Sequence, residues 1–178
     1  MNKNKGGFSL VELMIVIGII GILSAMSFNG YNAYRRSIAL NHLKSIAKQL
    51  ENLRMAKGKT LYELTGHTCP RCDCDDGDWY TQACRDKAEE AFKKVGFKSA
   101  PINPWGVPYS YESGERAPVV CNCTTIGTYI PGYKEFAFIN LPIFDPDECT
   151  GKTGINGTAC DMKLNIVKGV GYDIKWGY

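Results

Sequence analysis

"KGGFSLVELMIVIGIIGILSA", residues 5–25, sets one acid, Glu12, near the start of a long apolar run. From Leu13 to Tyr34 there are 22 residues without a charge. Roughly 20 apolar residues in a helix cross a bilayer core, so the stretch is long enough to span one. A carboxylate buried there is costly unless a cation offsets it. Lys3 and Lys5 precede the run and Arg35-Arg36 closes it. The two flanks are nearly balanced in positive charge and do not orient the segment by themselves.

A secretory signal has a basic start, a short apolar region and a small-residue cleavage site. Here the apolar region is longer, and "LSA" at 23–25 puts Leu23 where a small residue is needed. Gly6-Gly7 stands ahead of the run instead, directly before Phe8.

Beyond Arg35 the pattern changes. Ala39, Leu43, Ile46, Leu50 and Leu53 recur at three- and four-residue steps, while Arg36, Asn41, Lys44, Lys48 and Glu51 fall elsewhere. The spacing predicts one helix from about Ser9 to Lys57, ended by Gly58. Its second half needs a sheet over one stripe. Its first half is apolar all round and needs lipid or protein on every side. Away from a membrane, copies of the same helix meet that need by bundling into a filament core. Asn29-Gly30, a pair of weak helix formers, predicts a bend or melted turn on assembly. Phe28, Tyr31 and Tyr34 beside it read as an interfacial aromatic belt and as helix packing.

The 178 residues are 44% hydrophobic and 22% charged, which suits one ordinary domain plus an extra element. The balance of 21 bases against 18 acids gives no reason to expect nucleic acid as a partner. All eight cysteines lie between Cys69 and Cys160, which points to an oxidising compartment beyond the apolar segment.

In that later region a helix is expected from Trp79 to Val95, capped by Asp78. Tyr80, Ala83, Cys84, Ala88, Ala91, Phe92 and Val95 trace its apolar side. Glu89 with Lys93 and Glu90 with Lys94 form i,i+4 pairs. "VPYSYES" (107–113) and "PVVCNCT" (118–124) flank Gly114 as a hairpin. "KEFAFINL" (134–141) alternates, and so does the tail through Leu164, Ile166, Val170, Tyr172, Ile174 and Trp176, broken only by Lys168. The expected fold class is α+β: a long N-terminal helix whose second half packs on an antiparallel sheet, with disulfides.

The opening stretch resembles the processing site of type IV prepilins and pseudopilins. The basic leader, the glycine, the phenylalanine, the acid four positions on and the apolar run all coincide, over about 20 residues. The resemblance implies a pilin-like fold and cleavage after Gly7 by prepilin peptidase, with N-methylation of Phe8. It also implies that Glu12 pairs with the amine of Phe8 on a neighbouring subunit. The domains then read as a leader (1–7), a transmembrane and filament-core helix (8–34), an amphipathic half-helix (35–57) and an extracytoplasmic Cys-rich domain (58–178). "NPWGVPYSYES" (103–113) is similar to an Asp-Pro-Trp-Gly-x-Pro-Tyr-x-Tyr stretch of major pseudopilins, with Asn103 in place of the aspartate. Its role is packing, with Trp105 plugging the helix–sheet core.

Eight cysteines admit too many pairings for connectivity to be read. A C-terminal loop closed by Cys149 and Cys160 follows the habit of many pilins. Cys69, Cys72, Cys74 and Cys84 offer a zinc or iron reading, but the irregular spacing and the oxidising compartment favour disulfides. Asp73, Asp75, Asp76 and Asp78 do not fit a calcium hand, because Gly77 falls where a ligand belongs. Asp145, Asp147 and Glu148 lie about where calcium-binding pseudopilins carry their ion, and also read as solvated loop acids. Asn122 and Asn156 head glycosylation sequons. His42 and His67 stand without a serine or cysteine constellation, and no enzyme or obligatory cofactor is expected.

The resemblance implies a structural subunit of a type IV pilus-like filament. A major-type pseudopilin of a type II secretion system is the alternative. A membrane-anchored Cys-rich binding or metal protein is the more distant one. The implied partners are other copies of the chain, prepilin peptidase, the inner-membrane assembly platform and the membrane itself. The implied location is the inner membrane before assembly and a periplasmic or extracellular filament after it.

Overall fold

The two half-patterns form one helix, α1 (Leu10–Lys57), in a computed structural model of the chain. The structure describes residues 8–66, 82–112, 115–116, 120–121, 123–142 and 160–169. Contacts divide the chain into two units, Met1–Arg36 and Ser37–Tyr178. In the first unit the backbone is helical through Asn29 and Gly30, so the expected bend is not a feature of the single chain. Ser27 sits just before that pair and its hydroxyl donates back to the carbonyl of Leu23 (2.8 Å). Such back-bonding loosens a helix slightly without breaking it.

In the second unit the predicted stripe is the core. Ala39, Leu43, Ile46, Ala47 and Leu50 are buried, with Leu53 packed beside them. Arg54 continues the stripe and is fully buried. Its Nη2 donates to the carbonyl of Pro142 (3.0 Å), and Glu51 lies 3.4 Å from its Nη1. Gly58 stops the helix in the left-handed region (φ +61), and the Lys59 amide bonds back to the Arg54 carbonyl. This is a glycine C-cap that spares other residues the steric cost of positive φ.

A short helix, α2 (Leu61–Thr65), was not expected from the sequence. Thr60 accepts from the Glu63 amide and the Glu63 carboxylate accepts from the Thr60 amide, a reciprocal capping box. The signal was present as "TLYE" at 60–63. Next comes α3 (Gln82–Lys94), with Ala88, Ala91, Phe92 and Val95 buried as predicted. The Glu89–Lys93 and Glu90–Lys94 pairs are formed at 2.7 and 2.8 Å. The expected first turn, with Asp78 and Tyr80, lies outside the described residues. Gly96 ends α3 with bonds from Phe97 to Phe92 and from Gly96 to Lys93. The Phe92 and Phe97 rings meet edge to face at 5.3 Å, the apolar contact that accompanies such a cap.

Among the described residues six strands follow: β1 (Ser110–Glu112), β2 (Glu115–Arg116), β3 (Val120–Cys121), β4 (Thr124–Ile130), β5 (Glu135–Leu141) and β6 (Leu164–Lys168). Four make an antiparallel sheet in the order β1-β4-β5-β6, while β2 and β3 form a small ladder of their own. The 107–113 with 118–124 hairpin is therefore corrected. The first strand begins only at Ser110, because 103–107 is held as a turn and Pro108 has no amide to give a ladder. Its partner is β4, a "TTIGTYI" run that Gly127 had disguised. A Cβ at Gly127 would lie 2.5 Å from the Phe136 ring, so the glycine is a packing requirement of the sheet.

Tyr111, Ile126, Ile139 and Leu164 pair in turn across the four strands and join the α1 stripe in one core cluster. On the opposite face Phe136 and Phe138 pack with Tyr129 and Val167. Lys168, the break in the tail's alternation, stands across the ladder from Glu135, an opposite-charge pair. The tail beyond Gly169 lies outside the described residues.

Cys160 bonds Cys123 (Cα–Cα 5.4 Å), which corrects the expected pairing with Cys149. Cys123 immediately precedes β4 and Cys160 precedes β6, and both strands flank β5. The disulfide thus staples β4 to β6 over the end of the strand between them. Spacing along the chain does not reveal this, because it depends on strand order. Cys149 lies outside the described residues.

Asn103 departs from the aspartate of the similar stretch for a visible reason. Its Oδ1 accepts from the Trp105 and Val107 amides (2.9 and 3.1 Å). Its Nδ2 donates to the Tyr129 carbonyl (2.7 Å) and the Thr128 hydroxyl (3.0 Å). A carboxylate has no donor for the Tyr129 carbonyl. Asn103→Asp is expected to cost about 1–3 kcal/mol by removing the donor to that part-buried carbonyl, read by urea titration of the detergent-solubilised chain. Unchanged stability would contradict this account.

Tyr109, fully buried, donates its hydroxyl to the Ala39 carbonyl (2.9 Å). Burial pushes its phenol well above the usual range. An unfolded tyrosine ionises near about 10, so the unfolded chain releases its proton first and stability falls as pH rises through and above that value. Tyr109→Phe is expected to flatten the alkaline loss in a thermal-melt series. It should cost about 0.5–1.5 kcal/mol at neutral pH for the missing hydrogen bond.

Candidate functional site

At the start of α1 the chain solves a local problem first. A helix begins with orphan amides that need acceptors. Ser9 supplies one: its hydroxyl accepts from the Glu12 amide (3.2 Å). The Glu12 carboxylate returns the favour, Oε2 accepting from the Ser9 amide (2.8 Å). This reciprocal S-x-x-E box holds the carboxylate over the positive end of the helix dipole. The arrangement explains half of why an acid stands here: Glu12 completes its own helix. Among the described residues Oε1 has no partner.

Above that cap the helix has no polar face. Leu10, Val11, Leu13, Met14, Ile15, Val16, Ile17, Ile19, Ile20, Ile22 and Leu23 are all exposed, from 44 to 74%. Ordinary soluble surfaces do not carry a contiguous apolar area of this kind. A Cβ at Gly18 or Gly21 would meet nothing within 4 Å, so both leave bare backbone open to approach. Toward the end of the run Arg35 folds its guanidinium over the Tyr31 ring, 5.4 Å from the centroid. The cation is thereby kept at the border of the apolar stretch.

A family model for the prokaryotic N-terminal methylation motif matches residues 2–28. The chain carries the type IV pilin and pseudopilin signature. The motif marks a pilin-like or pseudopilin precursor, and implies processing by prepilin peptidase and assembly into filaments. It is a structural motif and not an enzyme's. Comparison with curated proteins and with solved structures finds no match. Among the described residues no helix is long and apolar enough to cross a membrane. The described side chains of the run are contiguous only to Ser24.

Of the residues singled out from the sequence, Phe8 is described and is 84% exposed at the head of the pilin-type helix. Glu12 stands one turn away from it. Gly7 lies outside the described residues, as do Asp145, Asp147 and Glu148, the cysteines at 69, 72 and 74, the sequon asparagines 122 and 156, and His67. The side chains of Phe28 and Cys84 also lie outside. His42 is exposed on α1. Among the described residues no group of metal-ligating side chains comes together. Ser9 was missed, although the S-x-x-E spacing announces a capping box. Arg54 was missed because a buried arginine is indistinguishable from a solvated one in sequence.

Ser9→Ala removes one side of the box. It is expected to cost the helix start about 1 kcal/mol and to speed amide exchange at residues 10–12 in detergent micelles. Exchange indistinguishable from the parent would show that Ser9 does not cap.

Proposed function

We propose that the chain is the structural subunit of a type IV pilus-like filament, polymerised through residues 8–34. Prepilin peptidase cuts after Gly7, and Phe8 becomes the N-methylated first residue. Before assembly the apolar half-helix anchors the precursor in the inner membrane, with the Cys-rich unit on the far side. The assembly platform then moves it into a periplasmic or extracellular filament. One observation carries this reading: a helix start whose described apolar side chains from Leu13 to Leu23 are exposed on every side, with a carboxylate fixed at its tip.

The physics assigns Glu12 two tasks. Cleavage creates a positive amine on Phe8, and a charge at the centre of a membrane helix costs roughly 2.5–3.5 kcal/mol on insertion scales, less near the end. A carboxylate offers about four lone-pair sites. Oε2 serves the Ser9 amide of its own chain. Oε1 is left to receive the amine of a neighbouring Phe8. A subunit docked out of register would bury both charges apart, so the pair also sets the axial step.

A type II secretion pseudopilin is the second reading, favoured by the turn at 103–107. The Cys123–Cys160 staple favours the pilus instead, since subunits of long external filaments gain from covalent bracing. No calcium is required by either reading; Asp145, Asp147 and Glu148 stay a candidate set for it.

Sheared surface filaments should contain this chain beginning at N-methylated Phe8 by mass spectrometry. Glu12→Ala should still be cleaved, yet its incorporation should fall about tenfold or more, as expected when an uncompensated charge costs over 1.4 kcal/mol. Normal assembly of Glu12→Ala would remove Glu12 from this role. A native chain that keeps Lys3 and Lys5 and stays monomeric would overturn the whole reading.

A further inference from the structure

We propose that the cleft between α3 and the turn at 100–108 binds one hexopyranose ring of a carbohydrate. The cleft lies wholly within the second unit, and its role does not depend on the filament reading.

The cleft encloses about 320 Å³. Ligand sites run from roughly 300 to 1,000 Å³, so this one suits a compact molecule and not a length of extended peptide. Among the described residues Arg85 and Glu89 line one side, and Ala100, Ile102, Trp105 and Pro108 line the other. The turn side is held rigidly. The Asn103 side chain takes the Trp105 and Val107 amides and gives to the Tyr129 carbonyl. Its own amide donates to the Val107 carbonyl (2.8 Å), and the Gly106 amide donates back to the Asn103 carbonyl (2.9 Å). Gly106 takes the left-handed conformation (φ +79) that this reversal needs. Trp105 is anchored on its inner side, where it packs against the core. A Cβ at Gly132, in the 3-10 turn Pro131–Tyr133, would lie 3.4 Å from its Nε1, so the ring is also held from the hairpin. What Trp105 gives to the cleft is therefore a fixed apolar surface. Ile102, 60% exposed, extends it. A wall already ordered avoids the ordering cost that a mobile loop meets on binding.

The helix side is polar and carries both signs. Arg85 and Glu89 stand one turn apart on α3, a spacing of about 5–6 Å between Cβ atoms. A guanidinium only donates and a carboxylate only accepts. Lys93 holds one Glu89 oxygen, Oε1, at 2.7 Å. Among the described residues nothing bonds the other, and nothing pairs with the Arg85 guanidinium. This combination selects the ligand. An anion drawn to Arg85 meets the Glu89 carboxylate, and a cation drawn to Glu89 meets Arg85. An apolar molecule strips water from both groups and returns no hydrogen bond. A sugar hydroxyl both donates and accepts, so neighbouring hydroxyls of one ring take an Arg85 N–H and give a proton to Glu89. The C–H face of the same ring covers Trp105 and Ile102. An apolar wall facing a few convergent polar groups is the usual anatomy of a small-molecule site.

The test uses the full chain, nitrogen-15 labelled, in micelles of a detergent without a sugar headgroup. It is titrated with the methyl glycosides of glucose, galactose and mannose while amide signals are followed by NMR. At least one glycoside should shift Trp105, Gly106 and Glu89 and saturate with a Kd on the order of 1 mM, ordinary for so small a ligand. Arg85→Ala and Glu89→Gln should each weaken that binding about tenfold or more, as the loss of a charged hydrogen bond does. Both positions are on the helix surface, and unchanged signals from the core show that the variants fold. Asp86→Asn, on α3 but outside the cleft lining, should bind like the parent. The proposal is overturned if none of the three glycosides shifts these signals, or if both cleft variants bind like the parent. It is equally overturned if a short peptide shifts them and the glycosides do not, since the cleft is then a peptide site. A cleft that stays silent leaves the filament reading standing, and a chain that binds sugar yet never assembles refutes that reading alone.

Discussion

A helix that is apolar on every side cannot be satisfied by its own chain. A globular unit can cover one stripe of a helix, and here the sheet covers the stripe from Ala39 to Leu53. The first half presents isoleucine, leucine, valine and methionine at all angles. Fully burying each such side chain is worth about 1.5–3 kcal/mol, so the missing cover amounts to the largest unspent driving force in the molecule. Whatever supplies that cover determines where the chain resides. On the proposed reading, lipid supplies it before assembly and sister helices supply it afterwards.

The polar features are arranged around that constraint. Glu12 tolerates a place in the apolar segment because Ser9 and the helix start already hold it. On the proposed reading its second oxygen receives a charge in trans. In the globular unit the buried polar groups act as fixing points between elements. Tyr109, just before β1, bonds the Ala39 carbonyl of α1, Asn103 pins its turn to β4, and Arg54 joins the helix to the end of β5. The Cys123–Cys160 bond braces the same end of the sheet as Arg54.

Periodicity made much of this legible in the sequence. Both halves of α1, the buried side of α3, β5 and the core parity of β6 follow from spacings of three to four and of two. Local caps were legible in principle, and two of them, Ser9–Glu12 and Thr60–Glu63, passed unread as S/T-x-x-E. What spacing cannot carry is partnership between distant segments. Strand β4 was hidden by Gly127, whose reason is the Phe136 ring across the ladder. The true partner of Cys160 depended on the order β1-β4-β5-β6. Nothing in the sequence around Arg54 marks it as buried, since its partner, the Pro142 carbonyl, lies far along the chain. For Glu12 the spacing from Phe8 was read, while the S-x-x-E spacing that announces its intrachain bond was not.

The most direct measurement of the central claim is a cryo-electron-microscopy map of the assembled filament at side-chain resolution. The account predicts residues 8–34 bundled at the axis, with the Glu12 carboxylate within ion-pair distance of a neighbour's Phe8 amine. A map with these helices on the outer surface, or with Glu12 facing no amine, would contradict it.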